Sequence, residues 1–409
     1  MNKILLLFVL FFALKAWSQP PENTNIIIGN STNIQMNSSN NSNNSNNSNN
    51  FLVPIVTDST INISDKNQET DIKIVKKNSS VQSKKTEGIE STSIQQKQAI
   101  STEFSKAKVS SSYQRTQRTP TPQMQQQMDE KVQEIKEQDP NSFEYNLFYY
   151  SSGNYDVKRE ESLKKAEKIQ PTNSEVLKQC AANSIVKADT VNARKYLNQL
   201  EFQQVLQAET IDYTKDVLIS TSGNSTLITH GFNDSYGAIQ NQMNHSVETK
   251  VNVISLDFLQ SQSYRDVLSE KGYDVPKQKV VNVDYLKSFC ELNASKNISL
   301  SMTIPREYFE PIKSKLYPSG LVFEYRENPK QTSYSNLEDL WNIKLNKKVI
   351  YNYQSGLSNS YAVNYLPTLL YLKEYYQQNG DTRNLQKIEG DIQRVGMKSG
   401  KLNSLKKKN

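Results

Sequence analysis

The stretch Leu227-Ile228-Thr229-His230-Gly231-Phe232-Asn233-Asp234-Ser235-Tyr236 limits the fold more than any other part of the chain. A strand-like apolar run stops at a Gly-Phe-Asn-Asp turn. Asp234 or Ser235 is then placed to cap a helix through Ala238, Ile239 and Met243, because short side-chain oxygens accept the free N–H groups of a first helical turn. A second apolar run, Val251 to Leu256, follows the helix. Such a strand–turn–helix–strand unit predicts parallel pairing, and a small, mainly parallel α/β domain is expected over residues 211–330.

The first residues carry an export pattern. Met1-Asn2-Lys3 brings one positive charge, Ile4 to Leu14 is continuously apolar, and Ala16-Trp17-Ser18 precedes Gln19. The apolar run is too short to anchor across ~30 Å of hydrocarbon and suits a cleavable signal peptide, residues 1–18. No later segment is long and apolar enough to span a membrane, so no transmembrane segment is expected after cleavage to the periplasm or outer envelope.

Residues 19–138 read as a disordered Asn/Ser/Gln/Lys-rich segment. Asn37 to Asn50 is an Asn/Ser repeat, and Phe51, Phe104 and Tyr113 are the only aromatic residues in the segment. So few apolar groups offer little to offset ~1–2 kcal/mol of backbone entropy per ordered residue. Charge divides the same way. The net +7 of the chain sits in the tails, +6 over residues 71–118 and +5 over the basic tail 398–409, while residues 140–397 sum to zero. Basic tails bind anionic surfaces, but an exported chain is a poor partner for nucleic acid, leaving a solvated linker or a tether to peptidoglycan or anionic lipid.

Residues 139–210 change character. Asn141-Ser142-Phe143-Glu144-Tyr145 is echoed by Asn173-Ser174-Glu175-Val176-Leu177, and Gly153-Asn154-Tyr155 and Ala188-Asp189 break the helical stretches between. An aromatic helix, a turn, a Leu/Ala/Ile helix and a Pro-Thr-Asn stop resemble a tetratricopeptide repeat. A C-terminal helical hairpin is expected over 331–397, with Leu369, Leu370, Leu372 and Tyr376 before Asn379-Gly380-Asp381 and Leu385, Ile388, Ile392 and Val395 after it. The expected fold is therefore a mixed α+β/α/β one, with tetratricopeptide-like helical pairs flanking the sheet domain.

The run His230 to Tyr236, the strand Val251 to Leu256, the segment Tyr308 to Tyr325 with Leu316-Tyr317-Pro318-Ser319-Gly320-Leu321, and Asn364 to Lys401 together carry a family likeness. They resemble the soluble extracytoplasmic C-terminal region of bacterial protein O-mannosyltransferase-like membrane proteins common in the Bacteroidetes. The similarity covers roughly residues 140–401. Phe232 stands where family members carry an acidic residue, and the membrane portion that would hold sugar-transfer chemistry is not in this chain. The resemblance implies secretion or gliding-motility machinery as a setting and carries over no catalytic residue.

His230, Asn233, Asp234, Ser235 and Tyr236 are the candidate ligand-binding residues, since open α/β sheets bind ligands at strand ends. A His beside Asp and Ser invites a hydrolase or a glycan site; helix capping by Asp234 and Ser235 is the stronger reading, because a triad is a spatial arrangement and adjacent residues rarely form one. Asp257 and Asp284 likewise read as helix caps, and Tyr365 and Tyr376 as core. Cys180 and Cys290 sit in apolar patterns typical of buried thiols, which outweighs a disulfide between them. Two Cys and two His without ligand spacing argue against a metal, and no phosphate-binding Gly loop suggests a cofactor. The function expected is a non-catalytic interaction or assembly factor of the Gram-negative cell envelope, with envelope proteins as partners. A glycan-binding or glycan-processing accessory protein is the alternative.

Overall fold

A computed structural model describes residues 83–403 except 113, 222, 224 and 328–333, with side chains from residue 96. The expected signal peptide (residues 1–18), the Asn/Ser repeat and residues 404–409 of the basic tail lie outside the described residues. The described fold is mostly helical around a small mixed sheet, an α+β arrangement.

Helices α1 (Ser83–Ser112) and α2 (Pro122–Gln138) correct the boundary of the segment expected to be disordered. Ile100 and Phe104, four residues apart, are buried, as are Met128, Val132 and Ile135 at helical spacing on α2. Averaged Ser/Gln composition conceals these stripes, which are stable only because α3 (Phe143–Ser151) lends them an apolar surface. Phe104 stacks on Phe148 with ring centroids 4.2 Å apart and planes 9° from parallel. Thr121 caps α2 by accepting the Met124 N–H, with Pro122 at the first helical position where its missing donor costs nothing.

The helical pairs form as the sequence pattern predicts. Helix α3 turns at Asn154 and Tyr155, both at positive φ, into α4 (Glu160–Ile169); α5 (Ser174–Val186) turns at Ala188 into α6 (Thr190–Phe202). Ser142, Asn173 and Asp189 cap α3, α5 and α6 with side-chain acceptors. The expected division at residue 210 falls inside α7 (Ala208–Ser220), which belongs to both halves because its buried face serves the sheet domain and the C-terminal helices.

Strand β1 (Thr226–Thr229) is followed by α8 (Gly231–His245) and β2 (Asn252–Ser255). Helices α9 (Gln262–Glu270) and α10 (Val283–Leu292) precede β3 (Ile298–Ser301), and β4 (Leu316–Ser319) and β5 (Val322–Tyr325) form a hairpin. The sheet order is β2-β1-β3-β5-β4. β1 pairs in parallel with β2 and β3, whereas β5 runs antiparallel to β3 and β4. The expectation of a mainly parallel sheet is thus corrected to a mixed one: the tight turn at Gly320 forces antiparallel pairing on the last two strands. Gly237 lets α8 approach α7 closely, since a Cβ there would meet the Thr214 hydroxyl at 2.8 Å.

After α11 (Tyr334–Asp339), α12 (Lys348–Tyr351) and α13 (Gly356–Ala362), helices α14 (Leu366–Gln378) and α15 (Thr382–Lys398) make the expected hairpin. Tyr365 and Tyr376 are buried, and Ile388 and Val395 face the core from α15. Asp216 on α7 ties this half down. Its carboxylate accepts the Asn346 N–H at 2.8 Å, the Lys347 N–H at 2.9 Å and the Tyr365 hydroxyl at 2.8 Å. Among the described residues no helix is long and apolar enough to cross a membrane.

Candidate functional site

β1 lies between β2 and β3, with the chain leaving it toward β2 on one side and returning to β3 on the other. The crevice outside the carboxyl ends of β1 and β3 is the topological switch point at which open α/β sheets bind ligands. His230 and Asp234 lie there, together with Ser301 and Thr303 at the end of β3, and Asp257 just after β2. The sequence pattern located the first two and missed the β3 pair, because the strand Ile298–Ser301 carries only two apolar residues and its register depends on β1.

The helix begins earlier than the capping expectation. Gly231, at φ +71°, makes the sharp turn out of β1, and α8 starts there with His230 at the N-cap position. Asp234 and Ser235 therefore sit inside the helix and are not its caps; the chain needs a left-handed residue to turn within one position, and only Gly231 adopts that conformation without strain. Asp234 is buried and holds strand ends together. Oδ1 accepts the Ser301 hydroxyl at 3.2 Å, and Oδ2 accepts the Thr303 hydroxyl at 2.9 Å and the His230 backbone N–H at 3.3 Å. Burial raises its pKa to about 6, opposed by the Thr303 and Ser301 hydroxyls and the His230 N–H.

Ser235 Oγ donates to Ser255 Oγ at 2.9 Å and lies 3.0 Å from Thr229 Oγ1, so it joins β1 to β2. Tyr236 is buried against Phe232 and Phe258 and donates its hydroxyl to the Lys178 carbonyl at 3.1 Å, docking α8 on α5. The Tyr361 phenol near this helix start lies 3.1 Å from Thr210 Oγ1, and no hydrogen bond of the Asn233 side chain is part of the bonded set. Asp257 does not cap a helix with its side chain as expected; its carboxylate accepts the Gly231 N–H. Asp284 is likewise a first-turn residue, the cap of α10 being Asn282, whose side chain reaches the Tyr285 N–H at 2.9 Å.

His230 is the exception in this bonded set. Its Nδ1 has no hydrogen-bond partner among the described residues. Burial, aided by the Arg118 charge, lowers its pKa to about 4, so the ring is neutral near pH 7. Asp234 takes the backbone N–H of His230 rather than the ring, and Ser235 bonds to Thr229 and Ser255. The three adjacent residues thus do not form a nucleophile–base–acid relay.

Residues 114–119 cover this end of the sheet, a role that sequence reading missed entirely. Arg118 N–H donates to the Val281 carbonyl at 2.6 Å, Val281 N–H donates to Thr119 Oγ1 at 2.9 Å, and Val283 N–H donates to the Thr116 carbonyl at 3.1 Å. The Arg118 guanidinium is buried 3.9 Å from the Asp257 carboxylate, and Arg115 pairs with Glu307 at 2.7 Å. The two arginines in a polar run were the only signal available, and their spacing alone does not say where they dock.

Elsewhere, a cavity of about 120 Å³ lies among α4, α5 and α6, lined by Glu160, Glu167, Cys180, Lys187 and Tyr196. Cys180 and Cys290 are free, buried thiols, and burial pushes the Cys180 pKa up to about 12. No group of metal-ligating side chains occurs among the described residues. No protein-family model, curated protein or solved structure matches the chain.

Proposed function

We propose that this protein is an exported, non-catalytic interaction or assembly factor of the Gram-negative cell envelope, acting through a tetratricopeptide-like helical surface. The observation that carries this reading is on α6. Val191 is 76% exposed and Phe202 is 90% exposed. Eleven residues span about three turns, so the two side chains lie on one helical face. A large aromatic group held in water on a rigid helix is the kind of anchor that partner proteins bury. Ile169, half exposed at the end of α4, belongs to the same helical pairs.

The export pattern of residues 1–18 and the family likeness support the compartment and the secretion or gliding-motility setting. The alternative, a glycan-binding or glycan-processing accessory protein using His230, Asn233, Asp234, Ser235 and Tyr236, has less support. The side chains of Asp234, Ser235 and Tyr236 are already engaged within the fold.

Crosslinking pull-down from envelope fractions tests the proposal, comparing the native protein with a Val191→Glu, Phe202→Glu double variant. A defined set of envelope proteins recovered by the first and lost by the second is expected. Retention of glycan fragments with no protein partner would favour the alternative, and equal protein recovery by both forms would remove α6 from the interface.

A further inference from the structure

The geometry points to the groove at the carboxyl ends of β1 and β3 as a docking site for an extended, arginine-bearing peptide segment of a partner protein, occupied in this structure by the chain's own residues 114–119. This site is separate from the α6 surface and does not depend on it.

The strap is held as a bound peptide is held. It pairs through its backbone with Val281–Val283, forming one antiparallel bridge between Gln117 and Asn282. Main-chain pairing of this kind gives affinity without regard to sequence, and side chains then supply selectivity. Charge adds to this: the Arg118 guanidinium, which donates to the Ser112 and Gln114 carbonyls of its own segment, lies 3.9 Å from the Asp257 carboxylate, and Arg115 pairs with Glu307 at 2.7 Å. A carboxylate on each side matches a segment with arginines three positions apart.

The fit of the strap is incomplete. Arg118 Nε, His230 Nδ1 and Glu307 Oε2 are buried atoms without a hydrogen-bond partner among the described residues. Buried polar groups left unpaired weaken the closed arrangement relative to one in which they are satisfied. The flanking helices do not rely on the strap, since α1 is anchored by Ile100 and Phe104 and α2 by Met128, Val132 and Ile135. The strap can therefore leave the groove while both helices stay docked, and a better-matched segment can replace it.

Two measurements decide this. In the first, a fluorescent peptide of residues 111–121 is titrated into the native protein and into an Arg118→Ala, Thr119→Ala variant whose own strap is weakened. The variant is expected to bind the peptide at least tenfold more tightly than the native protein, and adding Asp257→Asn is expected to abolish the gain. Equal affinity, no binding, or a concentration-dependent dimer that excludes the peptide would overturn the proposal. The second uses the native protein alone, so it holds even where the variant fails to fold. Amide hydrogen exchange at Arg118, Val281 and Val283 is expected through an opening well below the global unfolding free energy, faster than at core amides of α8. Exchange of these amides only with global unfolding would show the strap to be a permanent part of the fold.

Discussion

Replacing Phe104 with alanine separates a docked N-terminal pair of helices from a loosely associated one. The ring is buried, stacked on Phe148 at 4.2 Å and nearly parallel to it. Truncating a buried phenylalanine to alanine costs about 3–5 kcal/mol, of which roughly 0.5–1.5 kcal/mol reflects the aromatic pair. Because α1 lies at the surface and can settle partly into the space, the lower end, about 3 kcal/mol, is expected. That is more than a hundredfold in the folding equilibrium at roughly 1.4 kcal/mol per factor of ten. Urea unfolding followed by circular dichroism reads it directly, and Phe202→Ala serves as a control of the same chemistry at a 90% exposed position. The control is expected to change stability by less than about 0.5 kcal/mol. An Phe104→Ala loss no greater than the control's would refute the packing of residues 96–112 on the body. A lower denaturant slope in the variant alone would instead show α1 detaching before the rest unfolds.

Two further predictions concern buried acids. Asp216→Ala leaves the Asn346 and Lys347 N–H groups and the Tyr365 hydroxyl without their acceptor, at about 1–3 kcal/mol each, partly offset by removing a buried charge. A net loss of roughly 3 kcal/mol is expected in thermal or urea unfolding, and a change within about 0.5 kcal/mol would mean the carboxylate does not hold that junction. The pH response turns on Asp234 and His230, which oppose each other. Asp234 has its pKa raised from 3.8 to about 6, so the folded state binds more protons in that window and stability falls as pH rises through it. His230 has its pKa lowered from 6.5 to about 4, so the unfolded state binds more protons and stability rises with pH through nearly the same window. The native protein is expected to show a shallow net dependence from these two groups. His230→Asn uncovers the falling limb, with about 2 kcal/mol lost relative to the native protein between pH 4 and 6, since the slope of about 1.4 kcal/mol per pH unit is reached only in the middle of that window. Identical pH profiles of urea midpoints for the two proteins would rule the opposition out.

Much of the candidate site was legible in part. His230 and Asp234 were placed at a strand end because the apolar run and the Gly231 turn are local signals. Ser301 and Thr303 were not, since they come to Asp234 only through the pairing of β3 with β1, sixty-odd residues away. The capping role expected for Asp234 failed for a local reason: Gly231 turns the chain so tightly that the helix starts before the acid. Arg118 was hidden because a Gln/Ser/Thr-rich stretch carries no apolar period around it, and its distant neighbours Val281 and Asp257 reach it only through the tertiary fold.

The sequence by itself determined the helical pairs and the C-terminal hairpin, whose apolar stripes, caps and turns act within a few residues. It also determined the parallel β1–α8–β2 unit, since a strand, turn and helix in succession leave few other connections. Tertiary structure alone decided that α1 and α2 fold, because their narrow stripes of Ile100, Phe104, Met128 and Ile135 gain stability only against α3 and each other. It alone decided, too, that the strand-end polar groups would be bonded to one another beneath residues 114–119. Burial turns a row of ordinary hydroxyls and carboxylates into groups that must find partners, and which partners they find depends on where distant strands meet.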